Sequence, residues 1–458
     1  MINDTIAGIS TAVGNAGISV IRLSGPDSFN IADKIFRGKK KVKDQPSHTI
    51  QYGKIVSPET GEVMDEVLIT KMAAPRTYTR EDVVEINCHG GYITASNLLN
   101  LLYQAGARPS EPGEFTKRAF LNGRIDLSQA EAVMDIIQAK TERVSKTAVK
   151  QLEGSLSNKI NEIREKLINI LAHLEVNLDY PEYDEEEVTA EMAEDVANRV
   201  LEDMDNLIDS FRFGKILMEG MEVVIAGRPN VGKSSLMNRL ARKNKSIVTD
   251  IPGTTRDIIE EYINIKGIPV KLVDTAGVRE TEDLVEKLGV ERSLKALKDA
   301  DFAVILMDAS NAFCPEDMEI IKRVNEENKP IITVINKIDL IDSNTLQNLK
   351  NENPKALFLS VSEDIGIDEL EDVIVKYATE NNDDLDNMVL VTNARHEHQI
   401  RKARSFIISA LDSIKMGLTL DTIAMDLKAA LDELGKITGH VADEDVINAI
   451  FSRFCIGK

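Results

Sequence analysis

The chain has 458 residues with 43% hydrophobic content, enough for roughly three domains with sizeable cores. With 55 Lys and Arg against 76 Asp and Glu, its formal net charge of −21 excludes a broad electrostatic grip on nucleic acid and confines any RNA contact to a local patch or a partner. Its few, widely spaced Cys exclude a disulfide framework, and the lack of a secretory signal or of an apolar run near the roughly 18 residues of a membrane span predicts a soluble, cytoplasmic protein.

Residues 1–122 mix short β-type runs with turn signals. Ile18-Ser19-Val20-Ile21-Arg22-Leu23 ends at Ser24-Gly25-Pro26, and 67–70 and 83–86 are further strand candidates. Gly90-Gly91 opens a helix-like run through Leu98, Leu99 and Leu102, so the segment reads as a small α+β or α/β domain. From 123, Val133, Ile136, Ile137, then Ile160, Ile163, Leu167, Ile170, Leu171 and Leu174 recur at helical spacing. Pro181 and Asp184-Glu185-Glu186-Glu187 break the pattern, and a second helix follows with Val196, Val200, Leu207 and Phe211 on one face.

Residues 217–380 alternate apolar strand candidates at 223–226, 270–273, 303–307 and 331–335 with helices, which predicts a mostly parallel sheet covered on both faces. Helical spacing returns from 381 through Ile400, Ala403, Ile407, Leu411 and Ile414, then Leu427, Leu431 and Leu434. The simplest organisation is one helical domain, 123–216 and 381–458, interrupted by an inserted α/β domain, an arrangement that loop tips tolerate.

The inserted domain carries the densest chemistry. Gly227-Arg228-Pro229-Asn230-Val231-Gly232-Lys233-Ser234 fits the phosphate-binding loop and falls between a strand and a helix, as the pattern requires. Its glycines let backbone N–H groups face the phosphates; Lys233 offers a point charge for the terminal phosphates and Ser234 a hydroxyl for magnesium, with Ser235 following. Asp274-Thr275-Ala276-Gly277 ends the next apolar strand, where the Asp holds magnesium through its water shell and the Gly lets the loop follow the terminal phosphate. In Asn336-Lys337-Ile338-Asp339 the last carboxylate accepts from the ring N–H and exocyclic amine of guanine, a pair adenine does not offer, so the base is guanine. Ser360 and Val361 supply the backbone side of the base pocket. Thr249-Asp250-Ile251-Pro252-Gly253-Thr254-Thr255-Arg256-Asp257 lies between the first two elements, and Thr255 is the candidate second magnesium ligand.

Many small GTPases place a Gln directly after Asp-x-x-Gly to orient the attacking water; here Val278 stands there. Either hydrolysis is poor, or Arg279, Glu280, Glu282 or Glu286 handles the water. A monovalent cation at Asn230 could take the place of an arginine finger.

These loops, the Asp-Ile-Pro-Gly-Thr-Thr-Arg-Asp switch, the domain order and Cys455-Ile456-Gly457-Lys458 together resemble the MnmE (TrmE) family of tRNA-modification GTPases over essentially the whole chain. The nucleotide motifs are shared with other GTPases; the Cys-Ile-Gly-Lys tail and the insertion are what make the resemblance specific. It implies a multidomain fold, α/β plus all-α: an N-terminal α+β tetrahydrofolate-binding and dimerisation domain over 1–122, a helical bundle over 123–216 and 381–458, and an inserted Ras-like P-loop GTPase domain over 217–380. It implies a potassium-dependent, homodimeric GTPase that works with a flavoprotein partner, MnmG (GidA), in a heterotetrameric or larger complex. The implied product is a carboxymethylaminomethyl or aminomethyl group at C5 of the wobble uridine of certain tRNAs. The implied carbon donor is 5,10-methylene- or 5-formyl-tetrahydrofolate.

By position, the resemblance implies potassium at Asn230, Thr249, Ile251 and Thr254, and magnesium at Ser234 and Thr255. It implies catalytic roles for Lys233, for Glu286 as the water-orienting group, and for Cys455 in the modification chemistry. Folate contacts are implied for Arg22, Glu85, Arg124 and Lys458. Read alone, Arg22, Arg124 and Cys455 look like ordinary surface or packing residues, whereas Glu85 in an apolar strand marks either a polar site or an outward position. The alternative function is a regulatory or ribosome-assembly switch without carbon chemistry.

Other runs read as structural. Arg37-Gly38-Lys39-Lys40-Lys41-Val42-Lys43 lacks aromatic interleaving and reads as a solvated loop between strands. His396-Glu397-His398 reads as an exposed helix, because residues so spaced do not face one another. Cys88-His89-Gly90-Gly91 reads as a turn into a helix.

Overall fold

A computed structural model describes residues 4–12, 14–179, 186–244, 246–248, 261–274, 298–327, 329–380, 388–441 and 443–458. The N-terminal part builds a seven-stranded sheet from β1 (Ile6–Ile9), β2 (Ile18–Ser24), β3 (Phe36–Gly38), β4 (Thr49–Val56), β5 (Val63–Met72), β6 (Val83–His89) and β7 (Arg108–Pro109), in the order β3-β4-β5-β6-β2-β1-β7. Alternation sends Ile21, Leu23, Val67, Ile69, Val84 and Ile86 to one face, where α1 (Ser28–Ile35) and α2 (Tyr92–Ala105) cover them. A third helix, α3 (Glu114–Leu121), starts just beyond β7.

The basic run at 37–43 is only partly the loop its composition predicts. Phe36 and Val42 are buried in the core, 36–38 pairs with β4, and Asp33 Oδ1 accepts from the Val42 N–H at 2.5 Å. The two apolar anchors hold the strip down while its lysines point outward.

The helical stretch after 123 breaks into several rods. These are α4 (Leu127–Gln138), α5 (Glu142–Leu152), α6 (Ser155–Asp179) and α7 (Glu186–Glu219). Asp126 and Gln129 form a capping box at the start of α4, and the Thr141 hydroxyl caps α5, so the sequence starts each helix locally. After the insertion follow three more helices, named here α12 (Ala394–Lys415), α13 (Leu420–Thr438) and α14 (Glu444–Phe451). Helices α6, α7, α12 and α13 form a bundle around Ile160, Leu167, Leu174, Val200, Ile400, Ile407, Leu427 and Leu434.

The insertion contains β8 (Met221–Ala226), α8 (Lys233–Lys243), β9 (Ser246–Val248), β10 (Glu261–Ile265), β11 (Ile268–Asp274), β12 (Phe302–Asp308), α9 (Pro315–Glu326), β13 (Ile331–Asn336), α10 (Ser343–Glu352), β14 (Leu357–Phe358) and α11 (Ile367–Thr379). Its strands run β14-β13-β12-β8-β11-β10-β9, parallel except for the antiparallel β9 and β10 at one edge. Alternate residues of β8 enter separate cores on the two faces: Val223 and Ile225 on one, Val224 on the other. That is the mostly parallel, doubly covered sheet expected from its apolar strands. The chain leaves the bundle at Glu219 and returns along Leu390 and Val391, whose backbone N–H bonds the Ser210 hydroxyl of α7 at 3.0 Å.

Candidate functional site

The apolar β8 delivers the chain to Gly227, where a Cβ would stand 2.3 Å from the Leu306 carbonyl oxygen. At Gly232, with φ +103°, a Cβ would stand 2.5 Å from Asn336 Nδ2. Only glycine fits either place. Helix α8 opens at Lys233, so its unbonded N–H groups and the positive end of its dipole face the loop. Lys233 is only 7% exposed, and its Nζ donates to the carbonyls of Gly227 (2.7 Å) and Arg228 (2.9 Å). Ser234 and Ser235 stand in the first turn of α8. A buried ammonium, a helix N-terminus and a backbone cradle together fit a polyphosphate. Arg228 fastens the cradle from outside, pairing with the buried Asp317 at 2.7 Å and donating to the Asn311 carbonyl.

The base end is tied to the cradle by direct bonds. Asn336 Nδ2 donates to the Val231 carbonyl at 2.8 Å, while its Oδ1 accepts from the Val361 N–H at 3.2 Å. Lys337, at φ +67°, donates from Nζ to the Asn230 carbonyl (2.8 Å) and to Asp308 Oδ2 (2.7 Å). Asp339 accepts from the hydroxyls of Ser360 (2.5 Å) and Ser362 (3.3 Å), and the Ser360 bond holds its carboxyl below the usual range. It stays ionised and oriented as an acceptor. Asp308 and Asp317 were not picked out from sequence; an acid ending a buried strand was the available signal for Asp308.

Asp274 ends β11 in register with Ile225 of β8, which brings its backbone to the cradle's edge. Thr249, Asp250, Ile251, Pro252, Gly253, Thr254, Thr255, Thr275, Ala276, Gly277 and Glu286 lie outside the described residues.

A second polar constellation sits on the outward face of the N-terminal sheet. Arg22 and Glu85 are register partners across β2 and β6, and Arg22 Nε and Nη2 meet Glu85 Oε1 at 2.9 and 2.8 Å. The Arg22 guanidinium lies 5.7 Å from both the Tyr78 and Phe115 ring centroids, and that of Arg124 lies 4.7 Å from Tyr78. Phe451 and Phe454 bury the root of the tail against Ala119, Leu127 and Ala130. Beyond them, the Lys458 carbonyl accepts from Phe115 N (3.1 Å), that of Cys455 from Gly113 N (3.3 Å), and that of Gly457 from Ser10 Oγ (2.9 Å). The structure thus joins Arg22 to Glu85 by direct contact, Arg124 to them through Tyr78 and Lys458 through Phe115, with Cys455 exposed on the same docked tail. Tyr78 and Phe115 were missed, since a lone aromatic in sequence does not reveal which cations stack on it.

The expectation for His396 is overturned. It lies on a helix, but it is 1% exposed rather than solvated, with Nε2 2.6 Å from Glu131 Oε2. Arg395 meets the same carboxylate at 2.7 and 3.0 Å. The reason is that α12 starts against α4, so residues on its first turn turn inward. Burial alone would raise the Glu131 carboxyl, but His396 and Arg395 hold it down at about 2. Burial and the Glu131 charge push the neighbouring Asp135 up to about 7. Cys88 and His89 are the last residues of β6 rather than part of a turn. Burial pushes the Cys88 thiol up to about 11, so it is inert, and His89 pairs with Asp65 at 2.6 Å instead.

No helix among the described residues is long and apolar enough to cross a membrane. The family model for the GTP-binding protein TrmE N-terminus matches residues 5–124, and that for the MnmE helical domain matches 127–455. The tRNA modification GTPase MnmE of Acetivibrio thermocellus is 52% identical over 457 residues, covering 99% of each chain. That of Thermoanaerobacter sp. strain X514 is 50% identical over 462 residues, covering 100% of each. The solved G domain of the T. maritima FeoB iron transporter is 30% identical, with a TM-score of 0.25, over 34% of this chain and 98% of that one. On its full-length identity to these curated relatives and on both family matches, the chain belongs to the MnmE family of tRNA modification GTPases.

Proposed function

We propose that GTP hydrolysis by this chain drives the addition of an aminomethyl or carboxymethylaminomethyl group to C5 of the wobble uridine in certain tRNAs. The carbon comes from a reduced folate, and the partner is a flavoprotein of the MnmG (GidA) type in a heterotetrameric or larger complex. One observation carries this beyond a bare GTPase: a built polar site, Arg22 with Glu85 beside Tyr78 and Arg124, lies next to a docked tail bearing Cys455. A pterin offers the same N–H and amine edge as guanine, so Glu85 suits it as Asp339 suits the base. Arg124 and Lys458 suit the carboxylates of a glutamyl tail.

In the nucleotide site, Lys233 and the start of α8 bind and neutralise the terminal phosphates, and Asp339 selects guanine. Ser234 and Thr255 would hold magnesium, which supplies charge neutralisation between the phosphates when bound. Asn230, Thr249, Ile251 and Thr254 would hold potassium in place of an arginine finger, and Glu286 would orient the attacking water. Hydrolysis is then faster in potassium than in sodium, and equal rates in the two salts would remove the cation from this reading.

A homodimer through the N-terminal domain is supported by the same outward sheet face. There Ile50 and Tyr52 of β4 and Leu68 of β5 stand exposed on adjacent strands, with Tyr52 opposite Leu68, on the face that carries Arg22 and Glu85, and Ile18 is exposed on β2 across β6. The deciding experiment is nucleoside mass spectrometry of bulk tRNA from cells lacking this protein, with wild type, Lys233→Ala and Glu85→Ala copies re-expressed. Loss of the modified wobble uridine that only wild type restores supports the reading. An unchanged tRNA profile would leave a GTPase and favour a ribosome-assembly switch.

A further inference from the structure

Residues 139–143, the elbow between α4 and α5, touch each stretch of chain that connects the G domain to the helices. Lys140 Nζ lies 3.4 Å from the Tyr262 ring centroid and donates to the Glu219 carbonyl, the last of α7, at 3.1 Å. Thr141 Oγ1 donates to the Gly267 carbonyl at 2.7 Å. Gly267 sits at φ +92°, and a Cβ there would stand 3.3 Å from Arg143 Cβ. Ala139 and Val144 pack with Phe213 and Leu217 of α7 and with Leu390 on the returning segment.

Tyr262 and Gly267 belong to the β10–β11 hairpin. In chain order that hairpin lies between residues 249–257 and Asp274, the two stretches to which the function proposed above assigns the terminal phosphate and its magnesium. Its register is locked from Tyr262↔Lys271 to Ile265↔Ile268, and β11 is paired to β8 up to Asp274↔Ile225. A shift at the Asp274 end therefore moves the turn at Gly267, because a paired strand of 7 residues, about 20 Å, behaves as a rigid strip.

On the far side, α4 has two engaged faces. Leu127, Ala130, Val133 and Met134 pack with Phe451, Phe454 and Ile450 at the root of the tail. Glu131 grips Arg395 and His396 at the start of α12, just past the returning segment. Phe454 is directly followed by Cys455.

We propose that Lys140 and Thr141 are positioning residues that couple the nucleotide state to the tail: they read the β10–β11 hairpin, and α4 carries its displacement to Phe451, Phe454 and Cys455. This rests on the function proposed above, since it presumes chemistry at the tail. The contacts suit a switch, because a cation over a ring and hydrogen bonds to backbone carbonyls can exchange without unpacking a core.

The test compares Lys140→Met, which removes cation and donor, with Lys140→Arg, which keeps both. GTP turnover is measured on each purified full-length chain, and wobble-uridine modification by mass spectrometry on tRNA from cells expressing it. The expected result for Lys140→Met is turnover within about two-fold of wild type and modification lowered about ten-fold, a typical coupling magnitude, with Lys140→Arg near wild type in both. Normal modification with Lys140→Met overturns the proposal. So does a joint loss of turnover and modification, which makes the residue a prop of the G domain, and so does failure of Lys140→Arg to restore coupling. A wild-type copy that restores no modification overturns the proposed function itself and this inference with it.

Discussion

Glu131→Gln tests the wiring of the helical domain, because it keeps the shape of the side chain and removes its charge. The carboxylate is 11% exposed and accepts from Arg395 at 2.7 and 3.0 Å, from His396 at 2.6 Å and from Asn393 at 3.3 Å. Removing one partner of a buried pair costs about 3–5 kcal/mol. Arg395 keeps 19% exposure and the amide oxygen still accepts, which favours the lower end, about 3 kcal/mol. At about 2–4 °C per kcal/mol for a domain of this size, the helical-domain transition should fall by about 6–12 °C near neutral pH. The pH profile is an independent check. The folded carboxyl sits at about 2 against an ordinary 4.5, so it is a depressed group. Its contribution is complete above 4.5 and is lost as pH falls through about 2. Scanning calorimetry of wild type and variant should therefore show a constant gap above about pH 8, where Asp135 is ionised in both, and a gap that narrows from about pH 4 toward about pH 3. A gap under about 2 °C at neutral pH, or one that does not narrow in acid, refutes the reasoning.

Three further outcomes follow from the same geometry. Asp135 is a raised group, at about 7 against 3.8, so its contribution is full below 3.8 and lost as pH rises through about 7. Asp135→Asn should flatten the stability decline across that window in the same calorimetric series, and a decline that persists unchanged would assign it elsewhere. Asp339→Asn puts a donor where guanine needs an acceptor; losing two charge-assisted bonds should weaken GTP binding about 100-fold and favour a xanthine nucleotide, read by fluorescent-nucleotide titration. Gly457→Ala places a Cβ 2.1 Å from the Ile9 carbonyl at φ +87°, so the tail should undock. Limited proteolysis should then release the C-terminal residues sooner, with GTP turnover unchanged.

The nucleotide site was legible because its chemistry is local. A phosphate loop is eight consecutive residues between a strand and a helix, and Asn336, Lys337 and Asp339 sit within one turn. Arg22 was legible only by resemblance and Glu85 only as an acid in an apolar strand, since their pairing rests on the β2–β6 register between residues 63 positions apart. His396 went wrong for a physical reason: periodicity tells which residues share a helix face, not which neighbour will cover it. Likewise, alternation does not show that Phe36 and Val42 would pin a lysine-rich strip to the core. The strand β10 is hidden because Glu261 and Asn264 break the apolar run that marks its parallel neighbours, and β9 because it is only 3 residues long.

The least legible feature is the elbow, and the reason lies in topology. Thr141 and Gly267 are 126 residues apart, and neither is unusual in its own segment. What brings them together is the insertion. The chain crosses out after Glu219 and comes back along Leu390, so a bundle with one inserted domain must hold both crossings near one end of α7. Gly220, with φ +95°, is forced there by the Tyr262 ring, which would lie 2.7 Å from a Cβ. The same ring receives Lys140. A rotation of the inserted domain about these crossings therefore has to displace the hairpin against residues 139–143, whatever its cause, because both crossings and the hairpin turn bear on that one elbow. Of the helices there, α4 is the one that also packs against the root of the tail, and that is why the proposed coupling runs along α4.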